Sequence, residues 1–404
     1  MSTCKILKNG FHMDPRGEID YCCENTVDGS NRPMFEDPNE FFAYRKPLYE
    51  RSKKEWIKGC SGCRHSEMIK NRSLRTVGNS KLHMVPDDDY EIHYAIINTG
   101  NICNLACRMC TTGSSTKWIS YNKRAPEQRK IWDDNMGHEY EFMDDAQTRK
   151  YDDDRMRVLK EHVLTPSLKF MSFGGGEPTD NPRNLEILRY CLEKDIAKNI
   201  FLNVHTNGTH SLRGTWTDVL KEFKYVHMVF SIDGTFDNYN YIRQDSNWDT
   251  VIENMQYVKS VLVNEGRLKF IGAPDDDVDN VNTASLTASS CIQALNAHRF
   301  HHDKQFWMNN IIHHHNWQAI HSPDYMGLHV IHPELRERFD IVDICEGIEY
   351  NETKARKFFA TNRWMDQTFG RLGDLPMQVP HMFDETLYPF ANSIYHGEED
   401  YIIG

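Results

Sequence analysis

Cys103-Asn-Leu-Ala-Cys107-Arg-Met-Cys110 is the stretch on which the reading of this chain turns. It follows a mostly apolar run, residues 92–97. Three thiolates on one short loop suit a [4Fe–4S] cluster, which ordinarily takes four cysteine ligands. The Cys-x3-Cys-x2-Cys spacing supplies three, so one iron is left open to bind something else. Open coordination marks the loop as a reaction centre rather than a passive electron relay.

The rest of the composition sets the frame. A chain of 404 residues has room for one large domain and a smaller one. With 39% hydrophobic and 26% charged residues it reads as an ordinary soluble globular protein. No apolar run reaches about eighteen residues, and the start Met1-Ser-Thr-Cys4-Lys lacks the apolar core of a signal peptide, so the expectation is a cytoplasmic protein with no membrane partner. A formal charge of −12 argues against non-specific nucleic-acid binding, which needs clustered Lys and Arg. Eleven cysteines without an export signal point to metal or cluster ligation rather than disulfides.

From about residue 90 onward, strand-like and helix-like segments alternate. Strands are expected at 92–98, 168–173, 200–205, 225–232, 268–272 and 305–312, and helices at 184–197, 248–263 and 284–297. In the second helix Val251, Met255, Val258 and Leu262 stand at helical spacing. This alternation implies a parallel sheet with right-handed crossovers, open or closed into a barrel. The motifs sit at or just after strand ends, where such folds place their sites. Residues 1–88 do not share the alternation, and 119–157 read as an Asp-rich, solvated helical excursion.

Downstream of the cysteines come Phe173-Gly-Gly175-Gly176-Glu177-Pro-Thr, His205-Thr-Asn207-Gly-Thr, Ser231-Ile-Asp233-Gly and Tyr241-Ile-Arg243, then Trp248 opening a helix. Together with the Cys103/Cys107/Cys110 loop, this series resembles the radical S-adenosylmethionine (SAM) superfamily over about residues 90–250. The resemblance implies a partial (β/α)6 TIM-type barrel. It further implies that SAM chelates the open iron and is reductively cleaved to methionine and a 5′-deoxyadenosyl radical, which abstracts a substrate hydrogen. An external one-electron reductant, flavodoxin- or ferredoxin-like, would supply the electron. Gly175 and Gly176 would let backbone approach the cofactor, and Glu177 would accept from the methionine ammonium. Asn207, Ser231 and Asp233 suit the ribose or amino-acid moiety, and Arg243 the carboxylate. Arg243 equally suits an ordinary surface ion pair. Met109 stands where the family usually carries an aromatic residue near adenine. A zinc knuckle would explain part of the loop but none of the later turns.

A second cysteine set precedes the alternation: Cys4, then Gly17-Glu-Ile-Asp-Tyr-Cys22, then Gly59-Cys60-Ser-Gly-Cys63. The Gly-x4-Cys and Cys-x2-Cys pieces resemble the auxiliary-cluster SPASM/Twitch modules of radical SAM enzymes, which usually follow the barrel. Some Twitch-bearing proteins, including phage-encoded ones acting in the infected cell, share this order. Cys4, Cys22, Cys60 and Cys63 suffice for one further [4Fe–4S] cluster; Cys23 could replace Cys22, and four thiolates also suit structural zinc.

The remaining cysteines, Cys191, Cys291 and Cys345, read as buried small residues, with Cys291, Tyr239 and Tyr241 also open as acids or hydrogen donors. The histidines His298, His301, His302, His313, His314, His315 and His321 read as structural or substrate-lining, since neighbours on a strand alternate faces. The expected organisation is an N-terminal iron–sulfur module (1–87), a radical SAM core (88–330) and a C-terminal extension (331–404) against the barrel mouth. The resemblance favours modification of a peptide or protein residue. A small-molecule or nucleotide substrate, and a non-catalytic iron–sulfur electron carrier or sensor, are the alternatives.

Overall fold

The computed structural model describes residues 3–15, 17, 19–23, 38–68, 73–124, 153–264, 283–310, 314–320 and 323–398. Its strands are β1 (Gly10–Met13), β2 (Ile19–Asp20), β3 (Tyr94–Ile97), β4 (Ala106–Cys107), β5 (Phe170–Phe173), β6 (Phe201–Thr206), β7 (Tyr225–Ser231), β8 (Arg243–Gln244), β9 (Thr283–Ile292) and β10 (His314–Ala319). Eight of them form one sheet in the order β10-β9-β7-β6-β5-β3-β1-β2, and β4 pairs with β8. Every pairing in the large sheet is parallel except β1 with β2.

Period-two alternation explains the strands. Ala95, Ile97, Met171, Phe173, Leu202, Val204, Val226, Met228 and Phe230 point to one face and are buried in a single apolar cluster. Helices Pro182–Glu193 and Trp248–Asn264 cover that face through Ile187, Leu188, Cys191, Val251, Met255 and Val258, each 0% exposed. Burial of each such aliphatic side chain contributes about 1.5–3 kcal/mol. The first of these helices starts where Asn181 Oδ1 accepts from Arg183 N at 3.0 Å, with Pro182 in the opening turn.

The opposite face is built in rows. Tyr94, Phe170, Phe201 and Tyr225 stand in register, with ring centroids 6.0, 5.3 and 4.3 Å apart, and form an aromatic floor at the strand starts. Nearer the carboxyl ends the row turns polar: Asn203 Nδ2 donates to Ser172 Oγ at 2.9 Å, and His227 Nε2 lies 2.9 Å from Thr287 Oγ1.

Two expected elements are replaced by their opposites. Residues 284–292 are not helical; they are most of β9, parallel to β7 with Leu286 opposite Met228. The alternation Ser285-Leu286-Thr287-Ala288-Ser289, with Leu286 and Ala288 in the core, overrides an alanine-rich composition. Residues 305–310 are not strand but the end of helix Phe300–Asn310, where Phe300, Asp303 and Trp307 are buried at helical spacing. The last parallel strand is β10, one element later. The strand expected at 268–272 lies outside the described residues, as do 125–152 of the Asp-rich excursion and His313 and His321.

The N-terminal region joins the sheet, since β1 runs parallel to β3 with Gly10 opposite Tyr94 and Met13 opposite Ile97. A second apolar cluster belongs to the C-terminal residues. Phe358, Phe359, Met365, Leu375, Tyr388 and Tyr395 pack there with Ala106, Trp118, Tyr241 and Ile242, and Met109 and Cys110 lie against it. The C-terminal chain therefore touches the three-cysteine loop directly.

Candidate active site and cluster-binding loops

The cysteine loop is held by its own chain before any metal is considered. Ala106 and Cys107 pair antiparallel with Gln244 and Arg243. Trp118 Nε1 donates to Cys107 O at 3.0 Å, Cys103 N to Thr116 Oγ1 at 3.2 Å, Thr116 N to Asn101 O at 2.9 Å, and Ser115 Oγ to Leu105 O at 2.5 Å. Cys107 is 4% exposed, and Cys103 and Cys110 are half-buried. Burial and the neighbouring Cys107 push the Cys103 thiol up to about 12, and the hydrogen bond with Cys110, then burial, raises Cys107. Burial thus favours the protonated thiol at both, and at Cys107 the Arg243 charge works against it.

The glycine turn abuts this loop. A Cβ on Gly176 (φ +57°) would lie 2.3 Å from Ile102 O, and one on Gly175 (φ +72°) 3.1 Å from Gly100 O. The space beside these glycines' α-carbons is taken by the chain leading into Cys103. Glu177 N then donates to Ile102 O at 2.7 Å. The Glu177 carboxylate, 1% exposed, accepts from Thr179 N (3.0 Å), Thr179 Oγ1 (2.6 Å), Thr206 Oγ1 (2.8 Å) and Asn207 N (2.6 Å). Burial raises its pKa against those four hydrogen bonds. It therefore staples the turn after β5 to the end of β6.

Asn207 extends from that staple toward the cysteines, with Nδ2 donating to Asn104 Oδ1 at 3.0 Å and lying 3.9 Å from Cys103 Sγ. Beyond β7, Asp233 is 1% exposed; its Oδ1 accepts from Cys291 N at 2.8 Å, and Oδ2 pairs with Arg243 Nη2 at 2.7 Å. Arg243 Nη1 reaches Cys107 Sγ at 3.8 Å. Burial opposes the Arg243 charge, yet Asp233 and Cys107 outweigh it and raise its pKa. This is a buried pair at the site, not a surface one. Ser231 ends β7 opposite Ser289, half-buried, and Met109 packs against the C-terminal cluster. Asn207, Asp233 and Arg243 thus meet the cysteine loop beyond the carboxyl ends of β6 and β7, with Glu177 joined through the staple.

Two participants were not singled out by motif. Cys291, in register with Gln318, sits beside Asp233, and burial and that carboxylate push its thiol to about 11. Arg108, inside the cysteine loop, is 0% exposed and forms an ion pair with Asp366 of helix Glu352–Phe369, also 0% exposed. A signal existed for it: Ala355, Phe358, Phe359, Asn362, Met365 and Asp366 share one helical stripe, and two polar residues on an apolar stripe require partners.

In the N-terminal region Cys4, Cys22, Cys60 and Cys63 line one cavity with Ile6, Leu7, Tyr21, Trp56, Gly59 and Arg75; Cys23 is not among its lining residues. Cys4 Sγ accepts from Leu7 N at 3.4 Å, and Cys60 and Cys63 sit at the start of helix Ser61–Met68. Burial is the main reason that Cys4 rises to about 11 and Cys60 to about 12, and the neighbouring thiols add to it. Arg75 stays close through Glu67, with Nε at 2.9 Å from Oε1, and lies 5.0 Å from the Trp56 ring. Among the described residues no three His, Cys, Asp or Glu side chains converge tightly enough to hold a single metal ion.

Three of the candidate histidines have partners among the described residues. His315 Nε2 lies 2.8 Å from Ser290 Oγ, His301 Nε2 2.7 Å from Asp340 O, and the His298 and His381 rings pack 4.6 Å apart.

Comparison with known proteins bears on the central part of the chain. Residues 97–281 match the family model of the Radical SAM superfamily. No curated protein matches the chain. Among solved structures, native anSMEcpe with bound AdoMet and Kp18Cys peptide is 16% identical, with 69% of this chain and 62% of that one covered and a TM-score of 0.35. SuiB of Streptococcus suis bound to precursor peptide SuiA is 14% identical (96% and 75% covered, TM-score 0.33), and TYW1 with a lysine-pyruvate adduct is 14% identical (78% and 91%, 0.32). The chain spans about three fifths of the length of anSMEcpe. No helix among the described residues is long and apolar enough to cross a membrane. What the comparisons show is a Radical SAM domain match over residues 97–281.

Proposed function

We propose that the chain abstracts a hydrogen atom from a residue of a peptide or protein, with Cys103, Cys107 and Cys110 holding the cluster and Asn207, Ser231, Asp233 and Arg243 binding SAM. The observation that carries the site assignment is the meeting of three loop thiols with Asn207 and the Arg243–Asp233 pair at the carboxyl edge of a parallel sheet. When bound, a [4Fe–4S] cluster and SAM supply a 5′-deoxyadenosyl radical.

The donor set fits that group. Three thiols share one pinned loop, and Arg243 puts a cation on the Cys107 sulfur that favours its thiolate. Asn207 and Asp233 stand at two neighbouring strand ends, and a bound amino acid or ribose would take over hydrogen bonds that now go to Asn104 and Cys291. Glu177 contributes by fixing Asn207 through its backbone N–H. In this reading Arg243 exchanges part of its pairing with Asp233 for the SAM carboxylate. The cysteine loop and the polar rows of the sheet then orient the cofactor and limit water at the reacting carbon.

The peptide assignment is supported by the N-terminal cavity. Its four cysteines, apolar walls and the Arg75 guanidinium suit a second [4Fe–4S] cluster in a SPASM/Twitch-like module, here placed ahead of the core. Such modules often accompany peptide or protein substrates in the family the sequence resembles. The test is anaerobic reconstitution with iron and sulfide, followed by reduction in the presence of SAM. Release of 5′-deoxyadenosine from wild type, and its loss from Cys107→Ala, is expected. Peptides should raise that release and gain a mass change. Release stimulated by nucleosides or metabolites and never by any peptide would refute the peptide assignment.

A further inference from the structure

We infer that Asp366, on the C-terminal helix, is a positioning residue for the three-cysteine loop and acts through Arg108. The inference rests on the reading of Cys107 as a cluster ligand.

The Arg108 guanidinium uses each nitrogen in a different direction. Its Nε donates to Tyr241 O at 2.9 Å, Nη1 to Asn362 Oδ1 at 3.0 Å, and Nη2 to Asp366 Oδ1. The guanidinium also lies 3.7 Å from the centre of the Tyr241 ring. Asp366 is fixed in turn: Tyr241 OH donates to its two oxygens at 3.1 and 3.2 Å, and Tyr395 OH to Oδ2 at 2.7 Å. Every partner comes from the C-terminal chain or from the segment leading into β8. Arg108 N itself donates to Ile242 O at 2.9 Å, so backbone and side chain are held at the same place.

A second contact carries the same coupling independently of charge. Trp118, whose Nε1 donates to Cys107 O, stacks on Trp364 at 6.1 Å and 13°, and its ring centre is 5.3 Å from that of Phe369. Arg371, just past the helix, donates to Asn240 O at 3.2 Å and Gln244 Oε1 at 3.3 Å, which braces β8. The C-terminal helix therefore grips both strands of the β4–β8 pair that carries Cys107.

Packing alone does not call for this arrangement. Two fully buried charges are expensive to desolvate, and an apolar pair of similar volume would often serve stability as well. A forked, three-point pairing does what apolar contacts cannot: it selects one register of the loop, because no neighbouring loop residue can fill the same three acceptors. It also leaves Cys107 between two neutralised pairs, Arg243–Asp233 at its sulfur and Arg108–Asp366 at the next residue.

The first measurement uses cluster-free protein, with alkylation of Cys107 by iodoacetamide read by peptide mass spectrometry. In wild type Cys107 should react slowly relative to Cys103 and Cys110. In Asp366→Asn it should react at least tenfold faster. After reconstitution that variant should show an altered electron paramagnetic resonance signal and a higher midpoint potential, because the Arg108 charge is no longer balanced. Should Asp366→Asn not fold, the double variant Arg108→Met/Asp366→Leu leaves no unpaired charge and carries the test. It should melt near wild type yet lose Cys107 protection and at least tenfold of SAM cleavage. Protection and cluster signal unchanged in whichever variant folds would overturn the inference. An unchanged SAM-cleaving cluster in Cys107→Ala would instead overturn the assignment of the loop on which it rests.

Discussion

Arg243 reaches the sulfur of Cys107 with one guanidinium nitrogen, at 3.8 Å, while another pairs with Asp233 at 2.7 Å. A single side chain therefore links the cysteine loop to the end of β7, and the backbones of Cys107 and Arg243 are themselves paired. Asp233 is 1% exposed, so it depends on that partner. Arg243→Leu should cost about 3–5 kcal/mol in denaturant unfolding of the cluster-free protein, because a buried carboxylate is left unpaired. Arg243→Lys keeps the charge but not the fork, and should cost less while still weakening SAM binding. An unfolding curve for Arg243→Leu that overlays wild type would show that the pair is not formed.

Glu177 offers a separate test of the staple. Glu177→Gln turns one acceptor into a donor facing the N–H and O–H groups of Thr179, Thr206 and Asn207. The expected loss is about 2–3 kcal/mol of unfolding free energy. Gly176→Ala, whose methyl would meet Ile102 O at 2.3 Å, should displace the segment before Cys103 and lower iron uptake. Normal iron content in Gly176→Ala would contradict that packing.

The two cysteine sets should separate in metal analysis. Reconstituted wild type should bind about eight irons per chain, four for each cluster. Replacing Cys103, Cys107 and Cys110 together should leave about four irons and no SAM cleavage. Replacing Cys4, Cys22, Cys60 and Cys63 should leave the other four. Zinc instead of iron retained by the N-terminal set would exclude a cluster there.

His298 and His381 set a pH dependence away from the site. Burial, with the neighbouring ring and arginines adding to it, depresses them to about 3 and about 4. Below an ordinary histidine value of about 6.5 the unfolded chain takes up protons that the native state refuses, so stability falls with pH. The loss runs from about pH 6.5 down to pH 4 or 3, at about 1.4 kcal/mol per pH unit for each histidine. In cluster-free protein, His298→Phe/His381→Phe should lose roughly 2–4 kcal/mol less than wild type between pH 7 and pH 5. Equal losses in the two proteins would place the acid sensitivity elsewhere.

Much of the core was readable because short-range chemistry dictated it. Val251, Met255, Val258 and Leu262 line a helix because their spacing leaves only one face to bury. Strands β5, β6 and β7 fall within about two residues of their expected ends because alternating apolar positions admit no other pairing of faces. The errors arose where composition and period disagreed. Residues 284–292 are alanine- and serine-rich but alternate, and 305–310 hold the apolar run Phe306-Trp307-Met308 yet continue the helical spacing of Phe300 and Asp303; in both the period governed, because burial acts on faces and not on averages.

By itself the sequence determined the parallel α/β core, the three-cysteine loop and the order of the turns that surround it, since each follows from local spacing. It also named the four N-terminal cysteines that share a cavity. Only the tertiary structure decided which side chains those loops would meet. Glu177 spends its oxygens on Thr179, Thr206 and Asn207, Arg243 divides itself between Asp233 and Cys107, and Arg108 reaches Asp366 across 258 positions of chain. Periodicity can mark a buried polar position such as Asp366, but it does not name the partner. A buried charge takes whichever opposite charge the fold brings within reach, and that is settled by packing among distant segments.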